Sequence, residues 1–312
     1  MTFIDNLRRK WLVRSLEQQE KRTRSRLPAP LAAMPRWLLA LCALVIIAVF
    51  YWGILGWVLE DKSTDLTLRP SVEQLPPGGS VTVGGLAALG MAELDRGGWT
   101  PNDGWLKPHG FREAMPALQT GIHDVLSGVS AVLGRSDDDD LMDAAEDYAV
   151  PPTRGVFHGD FPFIGASAGS HIEDASAAYA RFNTRLTDGE AARPSGAVDA
   201  RALITVIGAK LADDVRGFDA AMLANADADP LDYQQTRGRA YASAILLRGI
   251  QSDFEPVLRE RELTGLMAEA IETLDRVSAA DPLILTNGDR TEQAYLLRSA
   301  VSALARIRGG LA

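Results

Sequence analysis

FREAMPALQTGIHDVLSGVSAVL, Phe111 to Leu133, is the stretch whose reading decides the architecture. Its apolar residues fall at Phe111, Met115, Leu118, Ile122, Val125, Val129 and Val132, in alternating steps of four and three. A half-buried strand repeats every two residues. A repeat of seven residues over two turns belongs to a helix that lays one stripe against its neighbours. Pro116 stands in the first turn, where its missing N–H has no intrahelical partner to lose. Gly121 and Gly128, also seven apart, strip one line of the helix of side chains, so a second backbone is expected to come close there.

The same period extends along most of the chain. Ser80 is read as the N-cap of a helix to about Arg96, with Val83, Leu86, Gly90 and Leu94 on one face. Ser136 and the acid run Asp137–Asp140 open a short helix to about Tyr148, and the Gly- and Pro-rich stretch Val150–Ser167 is a loop. Helices follow over about Ser170–Leu186, Val198–Met222, Leu231–Gln251, Ser252–Ala279 and Arg290–Arg308. The second carries Ile204, Ile207, Leu211, Val215, Phe218 and Met222. The fourth starts with a capping-box pattern, Ser252 to Glu255, and carries Leu263, Met267, Ala270, Leu274 and Val277. No strand-like alternation exceeds four residues. Residues 80–312 are expected to form an all-α domain, an antiparallel multi-helix bundle.

One segment differs from this amphipathic pattern. Residues 37–59, WLLALCALVIIAVFYWGILGWVL, contain no charge. At 1.5 Å per helical residue they span roughly 35 Å, enough to cross a hydrocarbon core of about 30 Å. Trp37 at one end and Tyr51, Trp52 and Trp57 toward the other match an interfacial belt. Glu60-Asp61-Lys62 follows where a cleavage site would need small residues, so the span is read as an uncleaved signal anchor whose partner is membrane lipid. Nine basic residues against three acidic ones make residues 1–36 +6, which leaves −15 for the rest of a chain of net charge −9. The positive-inside rule then places the tail in the cytoplasm and the acidic part outside. The use of 27 Arg against 5 Lys suggests a GC-rich bacterial genome, for which the outside of an inner membrane is the periplasm. Phe3–Gln19 can form an amphipathic helix at the inner leaflet or serve only as a basic tail; both readings stand. Residues 60–79 read as a polar linker. The single cysteine, Cys42, lies inside the span, so the exported domain folds without disulfides. The −15 charge argues against nucleic acid as a partner.

Motifs for chemistry are few. A calcium loop from Asp137 would need Gly at its sixth place and Glu at its twelfth, and Met142 and Tyr148 stand there. Asn225, Asp227 and Asp229 have ligand-like alternation, but Pro230 and Thr236 occupy the same two places, so the stretch reads as a helix–helix turn. His158, Asp160, His171 and Asp174 flank the loop FHGDFPFIGASAGSH and are candidate metal ligands, although no pair has a zinc spacing. Gly165-Ala-Ser167-Ala-Gly169 lacks the preceding strand a nucleophile elbow requires. No phosphate or dinucleotide fingerprint is present, and no cofactor is expected.

GGWTPNDGW, Gly97 to Trp105, admits two readings. Trp99, Asn102, Asp103 and Trp105 would form a sugar-binding strip, with Asp103 and Glu113 as a carboxylate pair. Structurally, Gly97-Gly98 ends a helix, Pro101–Gly104 turns, and the indoles clamp the loop to the bundle, which is the preferred reading. GGWTPND, then AMPALQTG, and later PLILTNGD (Pro282–Asp289) resemble a bacterial family of single-pass inner-membrane proteins known as domain of unknown function 2333. Where that family leads one to expect Asp-Asn before Met-Pro, this chain has Glu113-Ala114. The resemblance implies the anchor and the exported domain and supplies no catalytic residue. The expected function is a non-enzymatic binding or scaffold component of the cell envelope, with another envelope protein as partner. The alternative is a peptidoglycan- or polysaccharide-binding or hydrolysing enzyme.

Overall fold

The computed structural model describes residues 35–55, 62–103, 113–157 and 164–312. Two compact units divide at Leu55 and Gly56. In the first, α1 (Arg36–Ala48) continues as a π-helical stretch, Val49–Leu55. No part of the window Trp37–Ile54 is buried, and its mean hydropathy is 2.5. Trp37, Leu44, Ile46, Ile47 and Phe50 all present their side chains outward. This apolar helix, exposed among the described residues, has the length and composition to cross a membrane. The expected end of the span, residues 56–59, and the proposed amphipathic helix Phe3–Gln19 lie outside the described residues.

The second unit is all-α: α2 (Val81–Asp95), α3 (Ala114–Leu133), α4 (Asp139–Tyr148), α5 (Ala168–Asp188), α6 (Ala197–Leu223), α7 (Pro230–Asp253), α8 (Glu255–Glu260), α9 (Thr264–Ala279) and α10 (Asn287–Gly310). Among the described residues the β pairing is a single bridge, Phe157 to Ile164. The centre is α7. It packs on α3 above all, and also on α2, α6 and α9, while α10 closes the far side against α6 and α9, and α4 and α5 cover α2 and α3. Gly238, Ala240, Ala242, Ser243, Ala244 and Gly249 keep α7 thin enough for helices to reach it from every side. At its crossing with α3, a Cβ on Gly121 would lie 1.9 Å from the Gln235 carbonyl oxygen, and one on Gly238 would lie 2.0 Å from that of Leu118. The predicted close approach is therefore real at Gly121. At Gly128 the neighbours are side chains instead, Val206 and Lys210 of α6.

The start of α2 is fixed twice. Ser80 caps it, its Oγ accepting from the Val83 N–H. Asp253, at the far end of α7, accepts from the N–H groups of Val81 and Thr82 at 2.9 Å each and from the Ser80 hydroxyl at 2.7 Å. A buried carboxylate thus meets the first free N–H groups of a helix and its positive dipole end.

Two expectations are corrected. The helix predicted over Ser252–Ala279 is two. Helix α7 runs through Ser252, so no capping box forms there, and α8 ends in a Schellman motif. Its C′ residue, Glu262, has φ +58°; the Leu263 N–H reaches the Leu258 carbonyl at 2.8 Å, and the Glu262 N–H reaches that of Arg259. A glutamate in this left-handed position gave no warning of a stop. The stretch read as a linker is, from Lys62 on, strapped to the bundle: Thr64 Oγ1 donates to the Ser278 carbonyl, Tyr241 Oη to that of Asp65 and Asn183 Nδ2 to that of Gln74. Leu66 and Leu68 pack against the core.

Candidate functional site

The GGWTPND loop is built into the core. Gly97 and Gly98, at φ +141° and +89°, turn the chain out of α2 in a region closed to most side chains. Trp99 is only 5% exposed and donates its Nε1–H to the Pro152 carbonyl at 2.7 Å. The Thr100 N–H and hydroxyl both donate to Gln119 Oε1 on α3, at 2.8 and 2.7 Å, and Asn102 Nδ2 donates to the Arg154 carbonyl at 3.0 Å. The Asp103 N–H closes the turn on the Thr100 carbonyl. An indole with both faces packed offers nothing for a sugar to stack on, so Trp99 is a clamp and not part of a stacking strip, and the side-chain amide of Asn102 is committed to the loop. Trp105 lies outside the described residues. Asp103 is half-buried and Glu113 exposed, and neither lines the cavities described below.

The histidine reading also changes. His158 and Asp160 lie outside the described residues. His171 Nδ1 contacts Asp147 Oδ1 of α4 at 2.8 Å, and Asp174 is exposed. Among the described residues no three His, Cys, Asp or Glu side chains converge to hold a metal. His123 sits between the rings of Trp99 and Tyr148, 5.9 Å from each, and Tyr148 stacks on Tyr179. Burial pushes His123 down to about 4, so it is neutral at pH 7, and raises both tyrosines far above their usual range. This row of rings is core packing.

The feature with the makings of a site lies elsewhere, where the end of α6 turns into α7 against the start of α10. A cavity of about 360 Å³ opens there. Its walls follow from local chemistry. Asn225, at φ +51°, ends α6, with the Ala226 N–H reaching back to the Ala221 carbonyl at 2.9 Å. Asp229 caps α7, accepting from the Leu231 N–H at 2.8 Å, and Pro230 occupies the first position of that helix. Both ends of the Asn225–Asp229 segment are thus used to stop and start helices, as a turn reading requires. Helix α10 holds the turn: Asn287 Oδ1 accepts from the Ala228 N–H, and the nearly buried Arg290 donates to the Ala226 carbonyl at 2.8 Å while its guanidinium lies over the Phe218 ring.

Asp214 of α6 is 8% exposed and lines this cavity. One carboxylate oxygen is paired with Arg239, which also donates to Asp124 at 2.8 Å, and Lys210 holds Asp124 at 2.6 Å. The other, Oδ2, is fully buried. Desolvation raises Asp214 to about 6 against the pull of Arg239 and of a hydrogen bond from Thr236. Asp213, Asp227, Asp229 and Asp232 line the same space, opposed by Arg239 and Arg290. Across Tyr233 lies a second cavity of about 260 Å³, lined by Asp281, Asp289 and Glu292. Gln293, 2% exposed, borders it; its Nε2 donates to the Tyr233 carbonyl and its Oε1 has no partner.

The first cavity's lining has no His, Cys or Lys. Its acids and arginines equip it for recognition by charge. The sequence carries one sign of it. Asp214 stands three residues after Leu211 and four before Phe218, in register with the core stripe of its helix, where an acid has to find compensation. Compared with protein-family models, with curated proteins and with solved structures, the chain matches none.

Proposed function

We propose that this protein is a non-enzymatic binding component of a bacterial envelope, anchored by one transmembrane helix, with its helical domain in the periplasm. The observation that carries the reading is the apolar helix Trp37–Ile54, none of which is buried. Among the described residues of the first unit nothing covers it, and a lipid bilayer is the partner that removes such a surface from water. The +6 tail before it and the −15 balance after it support a cytoplasmic N-terminus. The resemblance to the single-pass inner-membrane family points the same way. Binding is favoured over hydrolysis because Trp99 is a buried clamp, whereas the α6–α7–α10 end has a preformed cavity lined by charged side chains.

The test has two arms. A reporter active only in the periplasm should be active when fused after Ala312 and silent when fused at Met1. Changing Arg22, Arg24, Arg26 and Arg36 to Glu takes the tail from +6 to −2 and should invert a measurable fraction of the chains or stop their insertion. A cytoplasmic C-terminus would refute the location. In crosslinked membranes the full chain should retain a reproducible envelope protein; repeated recovery of the chain alone would refute the binding role.

A further inference from the structure

We propose that the bend between α9 and α10 inserts Leu283 and Ile284 into the headgroup layer of the membrane that holds the anchor, so that this end of the helical domain rests on lipid. This rests on the anchor reading above and holds on whichever side of the membrane the domain lies.

The loop reads Asp281-Pro282-Leu283-Ile284-Leu285-Thr286, and both of its ends are fixed. At the start, the Asp281 carboxylate accepts from Gln234 Nε2 at 2.9 Å and pairs with the buried Arg237 guanidinium at 3.1 Å. At the end, Thr286 and Asp289 form the capping box of α10. Between them Leu285 is half-buried and lines the first cavity. Leu283 is fully exposed and Ile284 is 77% exposed. A loop that only joins two helices is served by polar residues. Here two adjacent aliphatic side chains are held outward from fixed footings, and removal from water is worth about tenfold or more in partition for each. They are not isolated. Met222 and Leu223 are exposed at the same end, because the turn that follows them is bonded to the start of α10 through Ala228 with Asn287 and Ala226 with Arg290. A grouping of this kind marks a contact surface.

The chain's point of entry identifies what covers it. Lys62 pairs with Asp281 at 3.5 Å, and Thr64 Oγ1 donates to the Ser278 carbonyl at the end of α9. Only Glu60 and Asp61 separate Lys62 from Leu59, where the uncharged run ends. Three steps of fully extended chain cover about 11 Å at most. The polar layer on each side of the hydrocarbon core is about 5–7 Å deep. Lys62, and with it Asp281, is therefore tethered at the level of the headgroups or just beyond, and Leu283 stands two residues on. Charge selects the surface. Asp227, Asp229, Asp281, Asp289 and Glu292 line the two cavities of this end. A second copy docked here would set acids against acids, and an anionic lipid surface is opposed in the same way, whereas a zwitterionic phospholipid fits.

The test uses the full chain carrying Cys42→Ala, one chain per nanodisc of phosphatidylcholine, with a bimane label on Ile284→Cys. The same label on Glu260→Cys is the reference for water: Glu260 is exposed on α8, beyond the end of α7, which lies about 28 Å along that helix from Gln234. Lipid carrying a nitroxide at the headgroup or upper acyl chain should quench the label at 284 and not the label at 260. Aqueous iodide should quench the label at 284 at least about threefold less than the label at 260, as for a group sunk by about 5–10 Å. Adding Leu283→Asp should restore iodide quenching to the reference level. Should labelling at 284 disturb the loop, Leu283→Cys takes the label and Ile284→Asp the charge. With about a third of the lipid replaced by phosphatidylglycerol at low salt, nitroxide quenching should fall. A label at 284 as open to iodide as the reference would overturn the proposal. So would a label shielded from iodide but untouched by the lipid nitroxide, which would mean a protein cover, or quenching indifferent to Leu283→Asp or to the anionic lipid. Each of these leaves the anchor standing; a chain that fails to enter the discs would overturn the anchor reading and this one with it.

Discussion

Gly121→Ala should damage this protein, and Gly217→Ala should improve it, although each adds one methyl to a long helix. The Cβ at Gly121 would stand 1.9 Å from the Gln235 carbonyl oxygen and 3.0 Å from the Arg239 nitrogen, and real Cβ atoms essentially never come within 3.0 Å of a heavy atom. The obstacle is backbone, so no side chain can rotate away; α3 and α7 must separate by more than an ångström. That seam is the most extensive helix contact in the unit and includes Leu118 and Ile122, both fully buried. A radial gap of about 0.5–1 Å already forfeits a quarter to a half of each contact's dispersion energy. Overpacking typically costs about 1–3 kcal/mol, and a rigid obstacle in the central seam belongs at the upper end. Set against this is the better helix propensity of Ala, worth up to about 1 kcal/mol. The net expectation is a loss of about 2–3 kcal/mol, a Tm lower by roughly 4–12 °C in a domain of this size. At Gly217 the added methyl meets nothing within 4 Å, so only the propensity gain remains and Tm should rise by a few degrees. Thermal unfolding of the full chain in detergent, followed by circular dichroism at 222 nm, measures both. A Gly121→Ala protein as stable as the parent would refute the crossing geometry.

Other expectations follow from the caps and buried charges. Asp253→Asn should cost about 2–3 kcal/mol, more than the roughly 1 kcal/mol of Ser80→Ala, because the carboxylate serves three donors at the start of α2; amide exchange at Val81 and Thr82 should accelerate, and unchanged protection there would count against the cap. His123 and Asp214 should shape stability with pH in opposite senses. His123, lowered from 6.5 to about 4 in the folded chain, withdraws up to about 3 kcal/mol as pH falls through that window; Asp214, raised from 3.8 to about 6, contributes a similar amount at low pH that is lost as pH rises through 6. Denaturant unfolding from pH 4 to 7 should therefore show a steeper acid loss in Asp214→Asn and a shallower one in His123→Gln than in the parent, and three parallel curves would exclude this pairing.

Much of the fold was legible because its signals are local. The stripe through Met115, Leu118, Ile122, Val125 and Val129 is fully buried, as its period required, and Ser80 caps the helix it was expected to cap. What escaped were features fixed by tertiary contact. The Ser252–Glu255 capping pattern is outweighed because Asp253 is needed inside α7 to hold the start of α2, and a buried cap shared between two helices is worth more than a local box. The stop at Glu262 carries no glycine to announce it. The central position of α7 was invisible for a different reason: a helix buried all round has no stripe to detect, and its small residues look like ordinary Ala- and Gly-rich composition.

The candidate site was least legible where sequence reasoning looked hardest. Tryptophans, histidines and acid runs draw attention because their side chains have chemistry of their own, yet Trp99 and His123 are spent on packing and Asp138 on capping α4. Asp214 looked like one acid among 41. Its significance depends on Arg239 and Asp124 arriving from α7 and α3, on Lys210 one turn earlier in α6, and on Arg290 fixing the Asn225–Asp229 turn from α10. Sequence separation hides such a set, but register does not. An acid at a core position of an amphipathic helix must be paired, protonated or bound. At Asp214 one oxygen is paired with Arg239, Thr236 adds a hydrogen bond to the carboxylate, and burial still raises the pKa toward protonation. The acid one residue earlier, Asp213, is exposed and pairs with Arg216 of its own helix, so the salt bridge to Arg239 depends on the core position that Asp214 occupies.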